Sequence, residues 1–283
     1  MGRGSSMSGG LWNLMRVAGL VGIVVIGGLA AQADSSFGDP EPVNTNADTD
    51  VELDGDPSVA ADRSGNIVAV WSSANLQDNG IGNDGDIFAA SSSDSGATWS
   101  DPVAITTDDA ADQSPVVATD GAGNWVAAWS SDNDLGGAIG ADYDILFARS
   151  TDNGQTWSTP TFLNSLAPTS NASDFDVTLT ANSAGLFIAA WDSNGNVGTG
   201  TDTEIHFSRS KNGGGSWGDE AALNPDAATE TKFDQQPSLA TDGLGNWVAV
   251  WLGDGQDSIY EVLSARSSND GKTWQDLARP RSR

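Results

Sequence analysis

Four aspartates recur at intervals of about sixty residues: Asp54, Asp112, Asp174 and Asp234. Each stands three residues ahead of an apolar run that reads as the start of a β-strand. A second set of acids, Asp86, Asp144, Glu204 and Glu261, opens another run later in each interval. Carboxylates gathered at one end of a sheet repel one another unless a cation or backbone N–H groups compensate. Calcium takes oxygen ligands from Asp and from carbonyls of Gly- and Asn-rich loops. Asp54, Asp112, Asp174 and Asp234 are therefore candidate ligands, and calcium is the cofactor they would hold. Asp also commonly caps its own turn, and that competing reading needs no metal.

Other reactive residues are few. Tyr143 and Tyr260 are the only tyrosines, and each precedes an acid, Asp144 or Glu261. Adjacent residues on a strand face opposite ways, so the acid is badly placed to activate the phenol. His206 is the sole histidine and shares its repeat position with Phe88, Leu146 and Leu263, which marks it as a packed strand residue. No nucleophile elbow accompanies it. There is no cysteine, which excludes thiolate catalysis and Cys-ligated zinc. No catalytic residue is assigned.

The elements that position these residues are repeats. Ser150-Thr151-Asp152-Asn153-Gly154-Gln155-Thr156-Trp157 has counterparts at 92–99, 210–217 and 267–274. The recurring positions are Ser92, Asp94, Gly96 and Trp99; Ser150, Asp152, Gly154 and Trp157; Ser210, Asn212, Gly214 and Trp217; and Ser267, Asn269, Gly271 and Trp274. The closing tryptophans lie 58, 60 and 57 residues apart. Self-similarity at such a period signals a repeat architecture. The phrase suits a hairpin turn: Asp or Asn accepts backbone N–H groups, Gly supplies the left-handed backbone, and Trp pins the turn against the sheet.

Each period contains four strand-like parts. A first strand and a tight turn, such as Asp120 to Asn124, lead into a wholly apolar second strand such as Trp125 to Trp129. That strand reads as covered on both faces. A polar loop, a third strand opening on an acid, the box and a fourth strand follow. Four antiparallel strands per period make a propeller blade. The expected repeats are approximately 54–111, 112–173, 174–233 and 234–283. Residues 37–43 echo the fourth strand and are expected to form a lone outer strand.

Residues 1–33 stand apart. Arg3 and Arg16 precede an apolar run over 17–31, and Ala31-Gln32-Ala33 offers a signal peptidase its small residues. A membrane span needs about 20 apolar residues, more than this run provides. A signal peptide over 1–33 is expected, with a secreted or periplasmic domain over 34–283 and no stable membrane insertion after cleavage. The chain carries a net charge of −27 from 12 Lys and Arg against 39 Asp and Glu. Nucleic acid, which needs a basic patch, is not an expected partner.

The boxes resemble the Asp-box (BNR) repeats of the sialidase superfamily, Ser/Thr-x-Asp-x-Gly-x-Thr-Trp. The first two match in full, and the last two carry Asn for Asp. The resemblance covers residues 37–283 and implies an all-β, sialidase-like β-propeller. The family's enzymes have six blades; four are visible here, either a ring that closes with four or an incomplete six-bladed ring. The resemblance also implies three arginines clamping a carboxylate, a Tyr/Glu nucleophile pair and an Asp acid/base. That set has no place in this sequence: Arg149, Arg209 and Arg266 recur at one repeat position, as blade structure would. They are expected to pair with neighbouring carboxylates. The expected function is a non-catalytic glycan- or protein-binding module acting through its long-loop face, with calcium as its candidate cofactor. The alternative is an exo-α-sialidase-type hydrolase whose catalytic blades are missing from this chain.

Overall fold

The computed structural model describes residues 39–47, 53–74, 85–195, 202–224, 227, 233–254 and 260–276. The chain divides into two units, Met1–Pro40 and Glu41–Arg283, and the fold below is that of the second. The expected signal peptide lies outside the described residues. Among the described residues, no helix is long and apolar enough to cross a membrane.

The second unit is all-β and comprises four four-stranded antiparallel sheets. Blade 1 holds β1 (Asp54–Ala61), β2 (Ile67–Ser73), β3 (Asp86–Ser92) and β4 (Val103–Ala104). Blade 2 holds β5 (Asp112–Thr119), β6 (Trp125–Ser131), β7 (Asp144–Ser150) and β8 (Thr161–Phe162). Blade 3 holds β9 (Asp174–Ala181), β10 (Phe187–Ser193), β11 (Glu204–Ser210) and β12 (Ala221–Ala222). Blade 4 holds β13 (Asp234–Thr241), β14 (Trp247–Asp254), β15 (Tyr260–Ser267) and β16 (Gln275–Asp276).

Two details differ from expectation. The recurring aspartates are the first residues of β1, β5, β9 and β13, not three residues upstream. A bulge after two residues lets each inner strand start early; Asp56, Ser114, Asp176 and Gln236 sit there with φ of 49°, 53°, 50° and 56°. The lone outer strand does not form in the described part of 37–43, and 37–38 lie outside it. Val43 nonetheless packs with Trp71, Phe88 and Trp99 of blade 1.

Side chains lock the turns. In the first hairpin, Asp62 Oδ1 accepts from Ser64 N at 2.7 Å and Asn66 N at 2.9 Å; Asp120 and Asp242 repeat the pattern. In the blade 2 box, Ser150 Oγ accepts from Gly154 N at 2.9 Å and donates to Asp152 Oδ1 at 2.8 Å. Asp152 in turn accepts from Thr156 N and Oγ1. Where Asn212 and Asn269 stand, the amide oxygen takes the Ser216 and Thr273 N–H groups while Nδ2 donates to their hydroxyls. The amide reverses one bond and keeps the turn.

The core lies between blades. Val68, Val70 and Ile87 of blade 1 pack on Trp125, Trp129 and Leu146 of blade 2. Val126, Ala128 and Ile145 meet Phe187 and Trp191 of blade 3, and Ile188, Ala190 and Ile205 meet Trp247 and Trp251 of blade 4. Two box tryptophans reach across these seams: Trp217 meets Phe147 edge-on at 5.8 Å, and Trp274 meets Phe207 likewise, whereas Trp99 packs within blade 1. β1 packs on β5, β5 on β9 and β9 on β13, and among the described residues no comparable seam joins β13 to β1.

Candidate functional site

Asp112, Asp174 and Asp234 are buried in three successive seams, and Asp54 is exposed on blade 1. Buried Asp144 of blade 2 and buried Asp174 of blade 3 share one donor, Asn164 Nδ2, at 2.7 and 2.6 Å. Asn224 Nδ2 similarly joins Glu204 and Asp234 at 2.6 and 2.9 Å. In the first seam Thr106 holds this position and accepts from Ile87 N, while Trp129 Nε1 donates to Asp112 Oδ1 at 2.9 Å. Asp54 accepts from Asn44 Nδ2 at 2.9 Å. Asn side chains donate to Asp54, Asp174 and Asp234, and the Trp129 indole donates to Asp112, at the four positions named as candidate calcium ligands. Among the described residues, no group of three or more His, Cys, Asp or Glu is placed to hold a metal ion.

Burial pushes three of the seam acids up. Loss of water raises Asp112 to about 7 and Asp144 to about 6, and lifts Asp174 well above the usual carboxylate range. The neighbouring charge of Glu220 adds to the last two. Exposed Asp94 moves the other way, to about 2, because its carboxylate accepts from Thr98 and Ser92.

Arg149 and Arg209 are seam fasteners. Arg149 Nε donates to the Gly213 carbonyl of the next blade's box at 2.7 Å, and its NH2 group to Asn124 Oδ1. Arg209 donates to the Asp270 carbonyl of blade 4 at 3.0 Å. They meet carbonyls and amides at these contacts, not the carboxylates expected. His206 is buried, as its repeat position implies, with Nδ1 3.2 Å from Glu220 Oε1. Tyr143 packs against Phe175 with the rings tilted by 40° and their centroids 4.9 Å apart.

Two places escaped the sequence reading. A groove of about 460 Å³ beside the blade 3 box is lined by Phe207, Trp217, Arg209, Lys211 and Lys272, with one carboxylate, Asp219, among them. Three of the six described cationic side chains meet there, in a chain of net charge −27. Lys211 and Lys272 occupy variable box positions 61 residues apart, so only the fold unites them. An aromatic wall with ammonium groups can seat a sugar ring carrying a negative charge.

The second place is a break in the repeat. Asp192 stands where the other blades have Ser72, Ser130 and Leu252. Burial raises it to about 7, and the charge of Asp176 on the adjacent inner strand adds to the rise. Asp176 is itself raised by burial. A carboxylic acid that keeps its proton near neutral pH beside a second carboxyl has the make-up of a general acid. The signal was visible as an acid where the repeat calls for none.

A family model described as BNR repeat-like domain matches residues 65–280. No curated protein matches the chain by sequence. Among solved structures, a leech intramolecular trans-sialidase complexed with 2,7-anhydro-Neu5Ac is similar over 88% of this chain and 54% of its own (TM-score 0.58, 11% identity). A Hadza microbial sialidase, Hz136, is similar over 81% of this chain and 47% of its own (TM-score 0.53, 16% identity). A Penicillium chrysogenum α-L-arabinanase complexed with arabinobiose is similar over 79% and 66% (TM-score 0.51, 16% identity). The chain thus spans about half the length of these sialidases. At such identities the likeness is one of fold: a sialidase-like β-propeller.

Proposed function

This chain belongs to the BNR repeat-like domain family, and we propose that it is an exported propeller module that binds an anionic glycan without hydrolysing it. The observation carrying this reading is the groove in which Lys211, Lys272 and Arg209 stand around Trp217 and Phe207. Its cations would attract carboxylate or sulfate groups, and the Trp217 face would take the apolar side of a sugar ring. A non-hydrolytic role is supported by where the arginines go. Arg149 and Arg209 are committed to seam carbonyls in different blades, so they cannot close together on one carboxylate. The experiment is calorimetric titration with a panel of sialylated, uronate-bearing and sulfated oligosaccharides. Binding that disappears in Lys211→Glu/Lys272→Glu supports the reading. No binding, or release of sugar from a sialoside, overturns it.

One observation favours a second reading, glycoside hydrolysis. Asp192 has the proton retention a general acid needs, beside Asp176. The resemblance to enzymes of this fold is consistent with that role. A screen of aryl glycosides tests it: turnover abolished by Asp192→Asn supports hydrolysis, and no turnover on any substrate removes it.

A further inference from the structure

Two of the three seams are fastened by an arginine, and the seam between blades 1 and 2 is not. Arg149 and Arg209 stand just before their box serines, opposite Val126 and Ile188; Ser91 holds that place opposite Val68. Between blades 2 and 3, the Arg149 stem passes the box glycine of blade 3: a Cβ on Gly214 would lie 3.8 Å from Arg149 Cδ. Its Nε then donates to the Gly213 carbonyl at 2.7 Å, and its NH2 group to Asn124 Oδ1. The receiving cradle is thus one carbonyl from the box of the following blade and one amide oxygen from the arginine's own blade.

The same cradle is built between blades 1 and 2. Asn66 stands where Asn124 does, and its Nδ2 donates to Asp62 Oδ2 at 2.7 Å, as Asn124 Nδ2 does to Asp120 Oδ2 at 2.6 Å. That bond fixes the amide and leaves Oδ1 for a donor from outside the hairpin. Asn153 holds the fourth box position with φ of 61°, against 68° at Gly213. The next N–H is anchored alike, Gly154 N to Ser150 Oγ at 2.9 Å and Gly214 N to Ser210 Oγ at 3.0 Å. A trans peptide sets its carbonyl opposite its N–H, so the Asn153 and Gly213 carbonyls take the same course. The blades also approach as closely: a Cβ on Gly154 would come within 2.7 Å of Val68, and one on Gly214 within 2.1 Å of Val126.

Ser91 is too short to reach across this cradle, and a groove of about 360 Å³ lies there. Asn66, Ser91 and Asn153 line it together with Thr98, Trp99 and Gln155, and none of its lining side chains is charged. The Asn153 side chain is occupied, since its Oδ1 accepts from Trp125 Nε1 at 3.3 Å. Among the described residues, no side chain donates to Asn66 Oδ1 or to the Asn153 carbonyl. Two oxygens at the end of a narrow groove call for a group with several donors and no acceptor on an apolar stem, which is a guanidinium. The chain's net charge of −27 favours the approach of a cation. Thr98 and Gln155 are exposed, so a backbone bearing the arginine can remain outside.

We propose that this groove docks an arginine side chain of a partner protein, which enters between blades 1 and 2 as Arg149 does between blades 2 and 3. The guanidinium donates to the Asn153 carbonyl and to Asn66 Oδ1, with its stem over Gly154 and beside Trp99. A lysine ammonium is a point charge without the planar fork that spans both oxygens, so the site discriminates between the two cations. The site is separate from the groove beside the blade 3 box and does not depend on a glycan binding there.

The test is a nuclear magnetic resonance titration of the full chain with acetyl-Gly-Arg-Gly-amide, for wild type and Ser91→Arg. The lysine and citrulline peptides serve as controls, citrulline keeping the shape of arginine without its charge. The expected result is a saturable shift of the Asn66, Ser91 and Asn153 amide signals, with the arginine peptide about tenfold tighter than either control. Ser91→Arg supplies the missing side chain from within, so it should abolish that binding and raise the melting temperature. Arginine already stands at this position in the other three blades, so the fold accommodates it. No saturable binding overturns the proposal, as does equal binding of the lysine or citrulline peptide, or binding that survives Ser91→Arg. A Ser91→Arg chain that melts at or below the wild-type temperature also overturns it, because the cradle would then not receive a guanidinium.

Discussion

The seam between blades 3 and 4 and the outer face of blade 4 are built from the same residue types at the same repeat positions. Ile205 and Val262 are equivalent, yet the first is fully buried and the second 74% exposed. Arg209 reaches a carbonyl of the following blade, and the equivalent Arg266 lies at the surface. A blade's alternation encodes what it can bury, and burial itself arrives with a neighbour. Stability should therefore be distributed by seam rather than by sequence pattern, and equivalent substitutions should have unequal costs.

Removing Asn164 should have the largest effect. Asn164→Ala leaves Asp144 and Asp174 buried without their shared donor, and is expected to cost about 3 kcal/mol in denaturant unfolding. A loss below about 1 kcal/mol would mean that the bridge matters little to the seam. Next comes pH. Asp112, Asp144 and Asp174 have raised values in the folded chain, so the native state holds protons that the unfolded chain releases near pH 4. Their stabilising contribution is complete below that pH and fades as pH rises through 6 to 7. The melting temperature should fall between pH 5 and 8, and Asp174→Asn should flatten that decline. A melting temperature that climbs over this range would contradict the burial argument.

Smaller effects separate turn from seam. Ser150→Ala removes the acceptor for Gly154 N and one donor to Asp152, and should cost about 1 to 2 kcal/mol by chemical denaturation. Arg209→Ala should cost about 1 kcal/mol through its lost carbonyl contact. Arg266→Ala, which loses only an exposed contact to Asn246 of its own blade among the described residues, should stay within about 0.5 kcal/mol of wild type. Equal costs at the two arginines would erase the difference between the faces.

The sequence made the architecture legible because its signals are local. An Asx turn needs Asp or Asn, a left-handed glycine and nothing distant, so the boxes and hairpins stood out. The apolar runs of β6 and β10 announced strands covered on both faces, and β14 carries an equally apolar run without that cover. The destination of the acids was not legible. Asp144 and Asp174 look like two members of separate series, and only the seam brings them onto one amide. Lys211 and Lys272 sit at box positions where turn chemistry imposes no residue type, so nothing local singles them out. Asp192 was legible in principle: where every repeat obeys one rule, the residue that breaks it is the one to examine.

The most direct measurement compares Ile205→Ala with Val262→Ala by urea unfolding, at a protein concentration where the chain runs singly. Ile205→Ala should lose about 3 kcal/mol, the usual cost of a large cavity in a closed seam. Val262→Ala should lose less than about 0.5 kcal/mol. Equal losses would contradict the account, because they would mean that the outer face of blade 4 is as well covered as the seams between blades.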